Sequence, residues 1–137
     1  MSIPDSARKV IESDRLAHLV TLNRDGSPQV TCVWIGVEGD EVVIAHLSEH
    51  RKVRNIRRDG RVAVSIETEK INAQGLQEYL VVYGKARIQE GGAVETLKSM
   101  TKSGEVPFGP NPPAGYVTRI TPERYGGVGP WASGSSD

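Results

Sequence analysis

HLSEHRKVRNIRRDGRVAVSIE, residues 46–67, ends one apolar run, gathers positive charge and opens another apolar run. Between Arg51 and Arg61 it places six of the chain's 17 Lys and Arg residues in eleven positions, with Asp59 the only acid among them. Ser48 reads as the N-cap of a short helix over 49–58. At 100° per residue, Val53 and Ile56 share the side that faces the rest of the protein. Arg51, Arg54, Asn55 and Arg58 cluster on the opposite side, and Lys52 projects from the flank. RVAVSIE (61–67) then alternates like a half-buried strand. The segment thus reads as a strand, a cationic helix and a second strand in succession.

Ahead of this segment, Ala7, Val10 and Ile11 suit a short amphipathic helix over 5–14. AHLVTLN (17–23) and QVTCVWIGV (29–37) are strands joined through Asp25-Gly26, a strong hairpin signal. Glu38-Gly39-Asp40 turns the chain into EVVIAHL (41–47). After the basic segment, EYLVVYGKARIQE (78–90) is a long strand in which Gly84 marks a bulge or bend. GAVETLKSMTK (92–102) is helical, with Val94, Leu97 and Met100 on one side. PFGPNPPAG (107–115) is a loop, and YVTRITP (116–122) is the last strand before a glycine-rich tail. The expectation is a mainly β protein with a few short helices: a six-stranded antiparallel barrel in one domain over 4–131, with a flexible tail at 132–137.

The 137 residues carry 17 basic and 17 acidic side chains, so no global positive field exists to drive non-specific nucleic-acid binding. Tyr79 and Tyr83 could serve as stacking platforms for a single strand, but aromatic residues make up only 5% of the chain. The charge is local, which points to a local anionic ligand. Cys32 is the single cysteine and is expected as a small buried hydrophobe. One cysteine, no apolar signal segment and no long apolar run give a cytoplasmic expectation. His18, His46 and His50 make no metal motif.

A helix N-terminus presents unpaired amides and a partial positive charge, so the amides of Glu49, His50 and Arg51 would point at an anion. Arg51 and Lys52 add charge-assisted contacts to it. Cations in a first turn are unfavourable without such an anion. Arg57, Arg58 and Arg61 read as solubilising charges or partners of nearby acids.

His-Leu-Ser-Glu-His-Arg-Lys, followed by Asn55-Ile56, Asp59 and Arg-Val-Ala-Val-Ser, resembles the phosphate-binding segment of the pyridoxamine-5′-phosphate-oxidase-like flavin and deazaflavin split-barrel superfamily. The likeness covers roughly residues 5–131. The ending Tyr-Gly-Gly-Val-Gly-Pro-Trp (125–131) is similar to that of actinobacterial members that use coenzyme F420 instead of FMN. The resemblance implies an F420-dependent oxidoreductase, with FMN the alternative cofactor and a non-catalytic binding module the rival class. It places the cofactor phosphate at Arg51 and Lys52, with His50 and Asn55 beside them. Ala45 and His46 would line the cofactor, and Gln29, Val30 and Thr31 would lie along its ring. It also implies a homodimer whose cleft is shared, with Trp131 capping the ring or substrate, and it demands no catalytic acid or base. The Trp and Arg that hold the substrate in pyridoxamine oxidases have no counterpart, so a small electron-poor organic substrate is expected.

Overall fold

The computed structural model describes residues 2–100 and 111–132. Its elements are α1 (Asp5–Ile11), β1 (Ala17–Leu22), β2 (Pro28–Val33), β3 (Gly36–Glu38), β4 (Glu41–His46), α2 (Arg51–Arg58), β5 (Arg61–Ile71), β6 (Gln77–Glu90), α3 (Ala93–Met100) and β7 (Tyr116–Val128). The strands form one antiparallel sheet in the order β2-β1-β5-β6-β7-β4-β3. β2 and β3 are its two edges, yet only Trp34 and Ile35 separate them in the chain. The sheet must therefore curl until its edges meet, and that closes the barrel.

This closure explains the difference from the expected six strands. Residues 29–37 are not one strand but the end of one edge and the start of the other. Both short turns form as expected. Gly26 takes φ +86°, and the Asn23 amide donates to the Ser27 carbonyl at 2.8 Å. At Gly84 the register against β7 slips by one residue, where an added Cβ would press on the Thr121 carbonyl. β7 runs six residues beyond its expected end, because Gly126 and Gly127 pair with Val81 and Leu80 instead of starting a tail. A side chain at Gly127, φ +86°, would meet the Tyr79 carbonyl. Glycine here permits close backbone approach and does not break the strand.

Burial alternates strictly along β1, with Ala17, Leu19 and Thr21 inward. Leu19, Val64, Leu80, Val82 and Ile120 fill the barrel, and Ala7 and Ile11 of α1 join the same core. Each large aliphatic side chain so buried contributes about 1.5–3 kcal/mol. In α3 the buried positions are Ala93 and Thr96, while Val94, Leu97 and Met100 are half-buried. Residues 101–110 and 133–137, which hold the expected helix end, part of the proline-rich loop and most of the expected flexible tail, lie outside the described residues. No helix among the described residues is long and apolar enough to cross a membrane.

Candidate functional site

The cationic helix begins later than its sequence suggests. Ser48 does not cap it: its hydroxyl meets His50 Nε2 at 3.0 Å, and His50 itself is the N-cap, with no side-chain cap bond. The Val53 and Arg54 amides reach the His50 carbonyl at 3.0 and 3.3 Å, which leaves the amides of Arg51 and Lys52 as the open donors. Val53 and Ile56 face the barrel as expected.

Asn55 is buried where its neighbouring arginines are exposed. It is 3% exposed, and its Nδ2 lies within reach of Thr21 Oγ1, Asn23 Oδ1 and Gln29 Oε1. It therefore ties α2 to the β1–β2 hairpin, with its amide hydrogens already engaged. The helical-wheel reading failed here because the hairpin folds over that flank of the helix. The same tie brings the hairpin tip against α2 and creates a groove of about 670 Å³. Arg24 from the tip and Arg51, Arg54 and Arg58 from α2 line it, with Asp25 as its acid. Asp25 accepts from the Ser27 amide and hydroxyl, and these bonds hold its carboxyl below the usual carboxylate range.

The charge around this groove is left open. Arg15, Arg57, Arg61, Arg87 and Arg119 all pair with carboxylates. Among the described residues, Arg24, Arg51, Arg54 and Arg58 form no ion pair. Arg54 donates to the Glu49 carbonyl at 3.1 Å, and Arg58 to Asn55 Oδ1 and the Leu22 carbonyl. Four like charges with Asp25 the one acid lining the groove among the described residues leave a net positive potential that draws in anions. Lys52, half-buried and also without an ion pair among the described residues, has its pKa pushed down by burial. An anion beside it would reverse that shift. Arg57, a candidate solubilising charge, pairs with Glu49 and Glu90 and lies 5.3 Å from the Tyr116 ring centroid.

His46, at the end of β4, is buried, and its Nε2 lies 2.7 Å from Thr118 Oγ1. Burial lowers its pKa to about 4, helped by the positive charges of Lys52 and His50. The ring is thus neutral at pH 7 and engaged with Thr118. Ala45 is half-buried beside it, paired with Val117. On β2, Gln29 and Thr31 are half-buried, while Val30 projects from the opposite face at 59% exposure. Thr31 Oγ1 is a buried oxygen without a hydrogen-bond partner among the described residues. Cys32 is exposed, because β2 is an edge strand and its outer face is uncovered.

Trp131, expected to cap the ring or the substrate, packs inward in this chain. Its indole is 7% exposed in the chain's own core, and Nε1 donates to the Gly126 carbonyl at 3.0 Å. Tyr83 is no open stacking platform either, since the Arg124 guanidinium lies 3.8 Å from its ring centroid. Sequence reading missed Arg24 and Thr118. Arg24 is one residue of a turn, and nothing local says which helix that turn will face.

The sequence profile described as pyridoxamine 5′-phosphate oxidase matches residues 3–129. No curated protein matches the chain. Among solved structures, an F420 reductase is 24% identical and superposes with a TM-score of 0.70, over 90% of this chain and 98% of its own. HupZ of Group A Streptococcus is 18% identical, with a TM-score of 0.68 over 97% of this chain and 100% of its own. An FMN-binding protein from Syntrophomonas wolfei is 14% identical, with a TM-score of 0.67 over 90% of this chain and 84% of its own. At these identities the likeness to solved structures is one of fold. The profile match begins at Ile3, the first core residue, and runs past the end of β7, so it spans the whole barrel and not the α2 segment alone. The chain belongs to the pyridoxamine 5′-phosphate oxidase family.

Proposed function

We propose that the protein is an oxidoreductase that uses coenzyme F420 to pass a hydride to a small electron-poor organic substrate, and that it works as a homodimer. The observation that supports this reading is the groove with four arginines, none of which makes an ion pair among the described residues. One phosphate is met by one or two charge-assisted contacts. Four arginines along a groove suit a longer anionic chain, such as the phospholactyl-oligoglutamate tail of F420. FMN ends at a single phosphate. It is the alternative, favoured by the FMN-binding protein of the same fold.

Reduced F420 supplies a hydride from its C5 when bound. The chain's own part is to bind, orient and enclose. Arg51 and Lys52, with their open amides, take the phosphate, and Arg24, Arg54 and Arg58 follow the tail. Thr31, with its unpartnered hydroxyl, and Gln29 offer polar contacts to the ring edge, where the protein's donors tune electron affinity. No acid–base side chain is required, because rate comes from holding the acceptor against the hydride-bearing carbon.

The outer face of β2 supports the dimer. Val30 and Trp34 are 59% and 53% exposed, Cys32 is exposed between them, and the register sets Val30 beside Val20 and Cys32 beside His18 of β1. An apolar face on an edge strand is a liability unless something covers it. A second copy does so in this reading. Trp34→Asp is expected to give a monomer by sedimentation velocity, and a variant that sediments as a dimer overturns the assignment. For the cofactor, absorbance titrations with F420 and FMN are followed by a reductase assay with reduced F420. A response to F420 at micromolar concentration supports the proposal, and silence toward both cofactors defeats it.

A further inference from the structure

Asn55 does more than fasten α2 to the hairpin. Its Nδ2 faces three acceptors, Asn23 Oδ1 at 3.0 Å, Thr21 Oγ1 at 3.1 Å and Gln29 Oε1 at 3.3 Å. A primary amide has two hydrogens, so one acceptor goes without at any instant. The orientation follows from the partners, since reversing the amide would set its oxygen against the Asn23 and Gln29 oxygens. Thr21 Oγ1 also donates to Gln29 Oε1 at 3.3 Å, so the Gln29 carbonyl oxygen is held from two sides. Gln29 Nε2 has no protein acceptor among the described residues. The result is a side-chain amide pinned by its oxygen, with its donor end left for something else.

The other end of Asn55 touches the groove. Asn55 Oδ1 accepts from Arg58 Nη1 at 3.3 Å, and the second nitrogen of Arg58 donates to the Leu22 carbonyl of β1. A continuous chain of hydrogen bonds therefore runs from a groove arginine through a buried amide to Gln29 on β2. Polar networks of this kind polarise one another and hold one arrangement.

We propose that Asn55 is a positioning residue that couples the anion held in the arginine groove to the orientation of the Gln29 amide beside the cofactor ring. This rests on the cofactor reading above. Losing Asn55 leaves Gln29 held by Thr21 alone and Arg58 by the Leu22 carbonyl alone, so the two ends of the bound molecule are no longer set by one linkage.

The test uses the full chain and two readouts. Asn55→Ala is expected to weaken F420 binding on the order of tenfold, the loss of about one buried hydrogen bond, and to shift the absorption band of the bound ring. Adding Gln29→Ala to that variant is expected to change the band no further. A band that stays in place while only thermal stability falls makes Asn55 merely structural and overturns the proposal, as do fully additive effects of the two substitutions. Asn55→Asp keeps the side-chain volume and the acceptor for Arg58 but loses both donated hydrogens, so it asks the same question should Asn55→Ala fail to fold. The second readout needs no redox cofactor. Titrating pyrophosphate is expected to shift the Gln29 side-chain amide NMR signals in the wild type and to leave them still in the Asn55 variant. Equal shifts in both proteins, or none in the wild type, overturn the coupling. A wild type that responds to pyrophosphate but binds neither F420 nor FMN defeats the cofactor reading and leaves the coupling standing.

Discussion

Two regions of this barrel hold arginines in opposite ways. At the β3–β4 edge, Arg119 reaches Glu38 at 2.8 Å and Glu41 at 3.2 Å, Arg87 adds a second contact to Glu41, and Gln89 accepts from Arg119 Nε. Around α2, Arg24, Arg51, Arg54 and Arg58 line a groove with no ion pair among the described residues. Both regions belong to a chain of zero formal net charge. A neutralised arginine ties strands together, and its field is cancelled within a few ångströms. An arginine without a counter-ion leaves its field for a ligand. Partners, not residue type, separate structure from function here.

The largest effect is expected at the groove. Replacing Arg51 and Lys52 together by alanine is expected to weaken cofactor binding by about 2–5 kcal/mol, read as a dissociation constant, with the fold intact. An unchanged constant would remove α2 from the site.

The next largest effect is on acid stability. His46 has its folded pKa lowered to about 4 from an ordinary 6.5, so its stabilising contribution is present above pH 6.5 and is lost as the pH falls toward 4. The loss amounts to about 3 kcal/mol relative to His46→Gln, whose amide can still meet Thr118. Denaturant unfolding of both proteins between pH 7 and pH 4 measures it, and parallel curves would contradict it.

Arg119→Ala sharpens the other side. Two carboxylates and Gln89 lose a partly buried partner, so unfolding is expected about 1–3 kcal/mol easier while cofactor affinity stays unchanged. A loss of affinity there would mean that the two regions are not separate. Arg57→Ala gives the smallest effect. Its pairs with Glu49 and Glu90 are exposed, worth about 0–1 kcal/mol in a melting experiment, and the arginine is already neutralised and should not matter to the cofactor.

Much of the fold was legible because its signals are local. The Asp25-Gly26 and Gly39 turns, the bulge at Gly84 and the alternation of RVAVSIE each follow from a few neighbouring residues. The strand count was misread where a long-range event decides it, at the edge-to-edge closure between Val33 and Gly36. The candidate site divides in the same way. Arg51 and Lys52 stand out as cations in a first turn. Arg24 joins them only because the hairpin lies across α2, and Asn55 leaves the exposed face for the same reason. Trp131, read as a cap for a ligand, turns inward because Gly126 offers its indole a carbonyl at 3.0 Å.

The sequence by itself determined the tight turns, the cationic helix and a family resemblance, since periodicity and spacing act over a few residues. Only the tertiary structure decided which cations remain without a counter-ion. That depends on where carboxylates from strands far apart in the chain come to rest, and no local pattern encodes it.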